Sequence, residues 1–213
     1  RPALPLPALS NPASSIPWIR GMWAIGKIRG EGATPPPAAQ TRSGRVVVCG
    51  TGPAMWDELA RVTVEHERFA VNDAIAHVPL LDHAGTLEDS LLPAWVVLAK
   101  HRARKFQRPM IETHCQLSGG RNKWVFQHLA GGTSGMWAIM VCLCLGYEEV
   151  VLAGVPITGS GHYWGPRTGR GTKHDDGAIR SVWMQAKEEV FDGRVTSLSG
   201  WTRKILGEPK WHR

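Results

Sequence analysis

Residues 45–53 constrain the fold of this chain more than any other part of its sequence. They read Arg-Val-Val-Val-Cys-Gly-Thr-Gly-Pro, and residues 46–49 show none of the polar alternation that a half-exposed strand needs. An apolar run of this kind is typical of a strand that is buried on both faces. Residues 54–60 then have helical character, so the sequence predicts a strand, a glycine turn and a helix. This order aims backbone N–H groups and a helix N-terminus at a phosphate.

The turn comprises Gly50, Thr51, Gly52 and Pro53. A second strand is predicted over residues 69–72, at the distance that a right-handed crossover requires. Asn72 and Asp73 stand where a dinucleotide-binding domain can carry a ribose-binding acid. The turn has only two glycines and lacks the third glycine of the dinucleotide-binding fingerprint. A tight turn without any ligand is therefore an equal alternative.

Helix and strand patterns alternate along the rest of the chain. Further strands are predicted over residues 80–84, 110–114, 149–154 and 194–198, and helices over residues 91–100, 136–145, 175–191 and 202–206. The helix at 136–145 is apolar on every side, which indicates a buried helix, and Gly146 ends it. The alternation predicts an α/β fold: a doubly wound, mainly parallel Rossmann-like sheet with helices on both faces. Such sheets bind ligands at the carboxyl ends of their strands.

Residues 1–44 differ from the rest, with prolines at positions 2, 5, 7, 12, 17, 35, 36 and 37. Prolines at this density exclude a regular core element. We therefore expect a Pro-rich extended arm over residues 1–44, followed by one Rossmann-like domain over residues 45–213. Apolar clusters at 16–19 and 22–25 indicate that the arm docks on the domain or on a neighbouring subunit, so a homo-oligomer or larger assembly is expected.

Composition excludes several classes of protein. With 43% hydrophobic and 20% charged residues, the chain resembles an ordinary soluble domain. Its longest apolar run, residues 136–145, is about half as long as a membrane span. No signal peptide is visible. The four cysteines lie in apolar contexts without CxxC spacing, which favours reduced core thiols over disulfides or zinc. We expect a cytoplasmic protein, in a host cytoplasm or a virion if the source is viral.

The chain carries a net charge of +7 and has a pI of about 9.6. Such a charge favours an anionic partner: a nucleotide, a nucleic acid or an acidic glycan. The ten tryptophans add surfaces on which a base or sugar could stack. A solvated cationic face is the alternative. For the basic run at residues 100–105 that alternative is preferred, because a helix C-terminus attracts cations.

Small polar residues open the buried helix. Thr133, Ser134 and Gly135 offer two hydroxyl groups and the N–H groups of a helix N-terminus. A ligand could use these donors. Helix capping by Thr133 or Ser134 is the equal alternative, since capping uses the same groups.

Two histidines and a tyrosine lie in the long loop after residues 149–154. His162 and Tyr163 occupy its middle, and His174 precedes the next predicted helix. Histidine is the usual general base near neutral pH. The alternative for each loop histidine is a solvated side chain. A metal site could draw on His162, His174, Asp175 and Asp176, but their spacing matches no established ligand motif, so we expect no metal.

The order of these strands, turns and helix starts along the chain resembles that of the bacterial family 42 sialyltransferases. It is also similar to their relatives, the motility-associated glycosyltransferases and the archaeal 6-hydroxymethylpterin diphosphokinases. The resemblance is carried by residues 46–53, 69–72, 133–136, 145–154 and 197–201, together with His174 before a helix. It covers about residues 45–206.

The resemblance implies a single nucleotide-binding domain that uses a CMP-activated or related UDP- or GDP-sugar and no further cofactor. Displacement at the anomeric carbon would be direct. By position, the turn at residues 50–53 and Asn72 would hold the donor, with Asp73 and Thr133 beside them. Ser134 and Gly135 would contact the nucleotide. Tyr163 would steady the phosphate leaving group, and the base would be His174, with His162 nearby.

The leading interpretation is a glycosyltransferase that acts on a hydroxyl of a glycan, protein or nucleic acid. The alternative is a non-catalytic assembly component, for example of a virion, that keeps the fold and uses residues 1–44 for subunit contacts. A third interpretation, diphosphate transfer to a pterin, would require magnesium and ATP.

Overall fold

One parallel sheet organises the chain. The computed structural model describes residues 42–88, 90–103, 111–115, 122–123, 133–158 and 176–212. The strands in these ranges are β1 (Arg45–Cys49), β2 (Glu67–Val71), β3 (His83–Thr86), β4 (Glu112–Cys115), β5 (Asn122–Lys123), β6 (Glu149–Ala153) and β7 (Val195–Ser197). Their order is β5-β4-β3-β2-β1-β6-β7, and every neighbouring pair is parallel. The predicted α/β fold with a parallel sheet is confirmed.

Helices cover both faces of this sheet. They are α1 (Met55–Ala60), α2 (Ala74–His77), α3 (Leu92–Ala103), α4 (Ser134–Leu145), α5 (Asp176–Ala186) and α6 (Gly200–Leu206). A π-helical turn, Lys187–Phe191, continues α5, and a 3-10 turn spans Lys210–His212. Val46 and Val48 pack into the core that contains α4. Val47 packs on the other face, against α1, α2 and α3. The doubly wound arrangement therefore follows from the alternating directions of fully buried β1 residues.

Helix α4 is the buried helix that the sequence predicts. Its N-cap residue is Thr133, whose Oγ1 accepts the Met136 N–H at 3.3 Å. It ends at Gly146, which has a φ of 99°. That left-handed conformation is open to glycine at little cost, so the residue type fixes the end of the helix.

Removing this cap gives a direct test of local stability. Thr133→Ala is expected to lower the free energy of unfolding of the ligand-free protein by about 1 kcal/mol, because the Met136 N–H loses its acceptor. Urea denaturation measures the change. Thr63→Ala, at an exposed loop threonine, is the control and should stay within about 0.5 kcal/mol of the parent. Equal stabilities for the two variants would contradict a capping role.

Strand β3 begins later than predicted, at His83 rather than residue 80. The preceding residues form a turn in which Leu80 has a φ of 56°. Asp82 holds this turn against β2: its Oδ2 accepts the Arg68 N–H at 2.9 Å. Its own N–H donates to the Arg68 carbonyl at 3.1 Å. These contacts come from a neighbouring strand. The apolar residues at 80 and 81 therefore predicted the start of β3 too early.

Helix α3 ends at Ala103, three residues later than predicted, and other boundaries differ by one or two residues. β4 begins at Glu112, and α6 begins at Gly200. Residues 42–44 contact the domain: the Arg42 N–H donates to the Leu145 carbonyl at 2.9 Å, and the Glu148 N–H donates to the Gly44 carbonyl at 3.0 Å. Residues 1–41 of the predicted arm lie outside the described residues.

All four cysteines are free thiols. Burial raises the pKa of Cys49 and of Cys144 to about 12, so both stay protonated and unreactive at neutral pH. Three of the four, Cys49, Cys115 and Cys142, are buried, as expected for core thiols. In the described ranges, no helix has both the length and the apolar character needed to cross a membrane.

Candidate functional site

The predicted ligand-binding residues that the structure describes lie at the carboxyl edge of the sheet. Thr51 follows β1, and Asn72 follows β2. Helix α4 begins at the same edge, because a Cβ on its residue Gly135 would lie 2.9 Å from Cγ1 of Val155, which follows β6. The strand order departs from sequence order between β1 and β6. Open α/β sheets bind their ligands at such a switch point.

The two glycines of the β1 turn are required by a close approach to the turn after β6. A Cβ on Gly50 would overlap the Gly154 carbonyl oxygen, and one on Gly52 would lie 2.8 Å from it. The Gly50 N–H donates to the Ala153 carbonyl at 2.8 Å, and the Gly52 N–H to the Gly154 carbonyl at 2.7 Å. Both N–H groups already have acceptors, so a phosphate beside this turn would need other donors. Pro53 is exposed and precedes α1.

The first turn of α4 offers such donors. The Met136 N–H is used by the Thr133 side chain and the Trp137 N–H by the Thr133 carbonyl. Within the described part of the chain, the Ser134 and Gly135 N–H groups donate to no acceptor. Two unused amides at the N-terminus of a twelve-residue helix favour an anion.

Asn72 follows β2 at the same edge of the sheet and is held in a fixed orientation. Its Oδ1 accepts the Thr86 hydroxyl at 2.7 Å, and Thr86 Oγ1 in turn accepts the Glu88 N–H at 2.9 Å. Asn72 has a φ of 54°, a conformation that asparagine tolerates better than most residues. Because the amide oxygen is engaged, the Nδ2 group is the part left to donate to a ligand. Asp73 is half-buried and precedes α2.

A buried carboxylate positions the turn after β6, and the sequence analysis missed it. Glu58 in α1 is 6% exposed. Its Oε2 accepts the Gly154 N–H at 2.7 Å and the Ser199 hydroxyl at 2.5 Å. Glu58 follows buried Met55 by three residues. This helical spacing was the signal that placed Glu58 on the inner face.

Side chains after β7 complete this network. Ser199 Oγ also accepts the Val155 N–H at 3.0 Å. The Thr202 hydroxyl lies 2.7 Å from both the Val155 carbonyl and Ser197 Oγ. The serine-rich segment at 197–201 therefore anchors the turn that contacts Gly50, Gly52 and Gly135, and it supports the site without lining it.

The loop residues proposed for catalysis, His162, Tyr163 and His174, lie outside the described residues, as does Asp175. Among the described residues, one group of side chains lies within metal-binding range of one another: His83, Glu112 and His114. These three lie on β3 and β4, and the first two begin their strands at the opposite edge of the sheet.

The fold has solved counterparts. The sialyltransferase CstII from Campylobacter jejuni, in complex with the substrate analogue cytidine-5'-monophosphate (CMP), aligns with a TM-score of 0.54 and 13% identity over 77% of this chain and 84% of that chain. A structure of the sialyltransferase CST-II with a trisaccharide acceptor and CMP aligns with a TM-score of 0.56 and 14% identity. The alignment covers 79% of this chain and 88% of that chain. The monofunctional α-2,3-sialyltransferase Cst-I from C. jejuni aligns with a TM-score of 0.56 and 12% identity over 84% of each chain. This chain has the sialyltransferase fold.

The shared fold confirms the resemblance to the sialyltransferases that the sequence predicts. No protein-family model and no curated protein sequence matches the chain. At 12–14% identity, the shared fold locates the carboxyl edge as the place to look for a ligand. It does not assign a role to any individual residue.

Proposed function

We propose that this chain is a glycosyltransferase that moves a sugar from a nucleotide-activated donor, a CMP-sugar in the first instance, to a hydroxyl group of an acceptor. The observation that carries the proposal is the fold shared with structures described as containing CMP and a trisaccharide acceptor. Unused donors at the carboxyl edge of the same sheet support it.

The donor phosphate would bind at the N-terminus of α4. The N–H groups of Ser134 and Gly135 and the Nδ2 group of Asn72 would donate to its oxygens. Gly135 suits this position because a larger residue would collide with Val155. Thr51 and Asp73 lie after β1 and β2 at the same edge of the sheet and are candidates for contacts with the sugar.

The chemistry would be a direct displacement. The acceptor oxygen forms a bond to the anomeric carbon while the bond from that carbon to the phosphate oxygen breaks. The phosphate keeps the bonding electron pair, and the acceptor proton passes to a base. By resemblance, His174 would be the base and Tyr163 would donate to the leaving phosphate, with His162 in the same loop. Hydrogen-bond donors can stabilise this charge without a metal.

The acceptor class follows from charge. A net charge of +7 favours an anionic acceptor, such as an acidic glycan or a nucleic acid. The ten tryptophans of the chain would add stacking surfaces for its rings.

Nucleotide binding is the first test. CMP at about one hundred times its dissociation constant is expected to stabilise the protein by about 2.7 kcal/mol, a rise in melting temperature of about 5 °C or more for a domain of this size. UDP and GDP should give smaller shifts. Differential scanning fluorimetry measures all three.

A matched pair of variants makes this test specific. Ser134→Asp should abolish the CMP shift by repelling the phosphate, yet leave the apo protein stable, since an acid in the first helical turn is favourable. Ser181→Asp, at an exposed serine of α5, should keep the shift. If no nucleotide stabilises the parent, and stable oligomers are lost when residues 1–44 are deleted, the assembly interpretation replaces this proposal.

A further inference from the structure

A polar cluster lies at the amino edge of the sheet, opposite the proposed nucleotide site. Glu67, His83 and Glu112 are the first residues of β2, β3 and β4. His114 lies two residues further along β4, and Tyr147 follows α4. Both histidines and the tyrosine have no exposed surface. Buried imidazoles beside carboxylates are costly unless each polar atom is matched.

The ring of His83 has a fixed orientation. Its Nε2 lies 2.7 Å from the Tyr147 hydroxyl oxygen and 3.0 Å from Glu67 Oε2. The Tyr147 hydroxyl donates its one hydrogen to Glu67 Oε2, so the Nε2–H of His83 donates toward these two oxygens. In the neutral ring, Nδ1 then carries the lone pair. A carboxylate behind the distal nitrogen is the arrangement that orients metal-binding histidines.

Three ligand atoms converge on the other side of that ring. His83 Nδ1 lies 3.1 Å from His114 Nε2 and 3.5 Å from Glu112 Oε2. All three atoms lie within 4.8 Å of one another. Ligand atoms of a tetrahedral zinc site, with bonds of about 2.0–2.2 Å, are separated by about 3.3–3.5 Å. The spacing therefore needs only small adjustments to hold an ion.

The charges of the cluster also favour a cation. Within the described ranges, the cation that faces it is Arg42, with Nη2 3.1 Å from Glu112 Oε2 and Nη1 3.6 Å from Glu67 Oε1. One guanidinium against two carboxylates leaves one negative charge when both imidazoles are neutral.

We propose that His83, Glu112 and His114 bind one zinc-type divalent ion that ties β3 to β4, with Glu67 and Tyr147 as positioning residues. Two imidazoles and one carboxylate suit zinc rather than magnesium or calcium, which prefer oxygen ligands. Half-buried Glu112 provides the route from solvent. The site lies at the edge opposite α4's N-terminus, so its ion stabilises the sheet and takes no part in the proposed transfer.

Zinc titration of the chelator-treated full chain tests this proposal. Calorimetry should show one equivalent of bound zinc with a raised melting temperature, whereas magnesium should have no effect. Glu112→Gln should weaken zinc binding by at least about tenfold. Glu148→Gln changes an exposed glutamate that precedes β6, and it should bind zinc as the parent does. The shifts caused by zinc and by CMP should add, because the two sites are separate.

Tyr147→Phe distinguishes a metal site from an ordinary buried network. It should weaken zinc binding by about 10- to 100-fold while the stoichiometry stays at one. Equal zinc binding in Glu112→Gln and the parent would overturn the proposal. So would a folded parent that binds no zinc, in which case the cluster is a buried hydrogen-bond network that joins β2, β3 and β4.

Discussion

Replacing Glu58 with alanine is expected to lower the free energy of unfolding by about 3–5 kcal/mol. The carboxylate accepts from the Gly154 N–H and the Ser199 hydroxyl in a nearly water-free environment. Without it, two buried donors lose their acceptor and a cavity replaces the side chain. Urea denaturation at constant pH measures the loss.

A graded series separates charge from shape at this position. Glu58→Gln keeps one acceptor oxygen and is expected to cost about 1–2 kcal/mol. Glu65→Ala, at an exposed glutamate, is the control and should change stability by less than about 0.5 kcal/mol. A double-mutant cycle with Ser199→Ala should show a coupling of at least about 0.5 kcal/mol. A Glu58→Ala variant as stable as the control would mean that this network is not made.

Loss of this hydrogen-bond network should also weaken CMP binding at the proposed nucleotide site. The Gly154–Val155 turn contacts both the β1 glycines and Gly135 at the start of α4. A shifted turn would displace the two unused amides of α4. Folded Glu58→Gln protein is therefore expected to show a smaller CMP shift than the parent, although Glu58 itself contacts no ligand in the proposal.

Strong local patterns explain what the sequence could predict of the fold. β1 is an unbroken apolar run, and α4 combines an apolar sequence with a threonine cap and a terminal glycine. Such signals act within a few residues, so both elements were predicted nearly to the residue. β5 was missed because two polar residues, Asn122 and Lys123, carry no strand pattern. β3 was misplaced because Asp82 bonds to another strand.

The sequence likewise predicts some features of the candidate site and misses others. Topology predicts that residues after parallel strands meet at one edge, which placed Thr51, Asn72 and Ser134 correctly relative to the sheet. The partners of buried polar groups are not local. Glu58 and Ser199 are 141 residues apart, and the amino-edge cluster draws on residues of β2, β3 and β4 together with Arg42 and Tyr147. Polar residues at the first positions of buried strands, such as Glu67 and His83, were the one hint in the sequence.

Replacing His174 with alanine is expected to lower the rate of sugar transfer by about 10²- to 10⁴-fold, which is the usual contribution of a general base. CMP affinity should stay close to that of the parent, because the phosphate would be held by Ser134, Gly135 and Asn72. Transfer rates under saturating donor, together with calorimetry for CMP, measure both quantities. The parent's rate should rise with pH through the ordinary range of a histidine near 6.5, and the variant should lose that rise.

His101→Ala is the matched control, since His101 is an exposed histidine of α3 and should transfer at the parental rate. His162→Ala separates the two loop histidines: a large loss there with normal transfer by His174→Ala would move the base to His162. If neither loop variant slows transfer while CMP still binds, base catalysis by this loop is excluded. The nucleotide site at α4 would then stand independently of that result, because its donors come from the helix terminus and from Asn72.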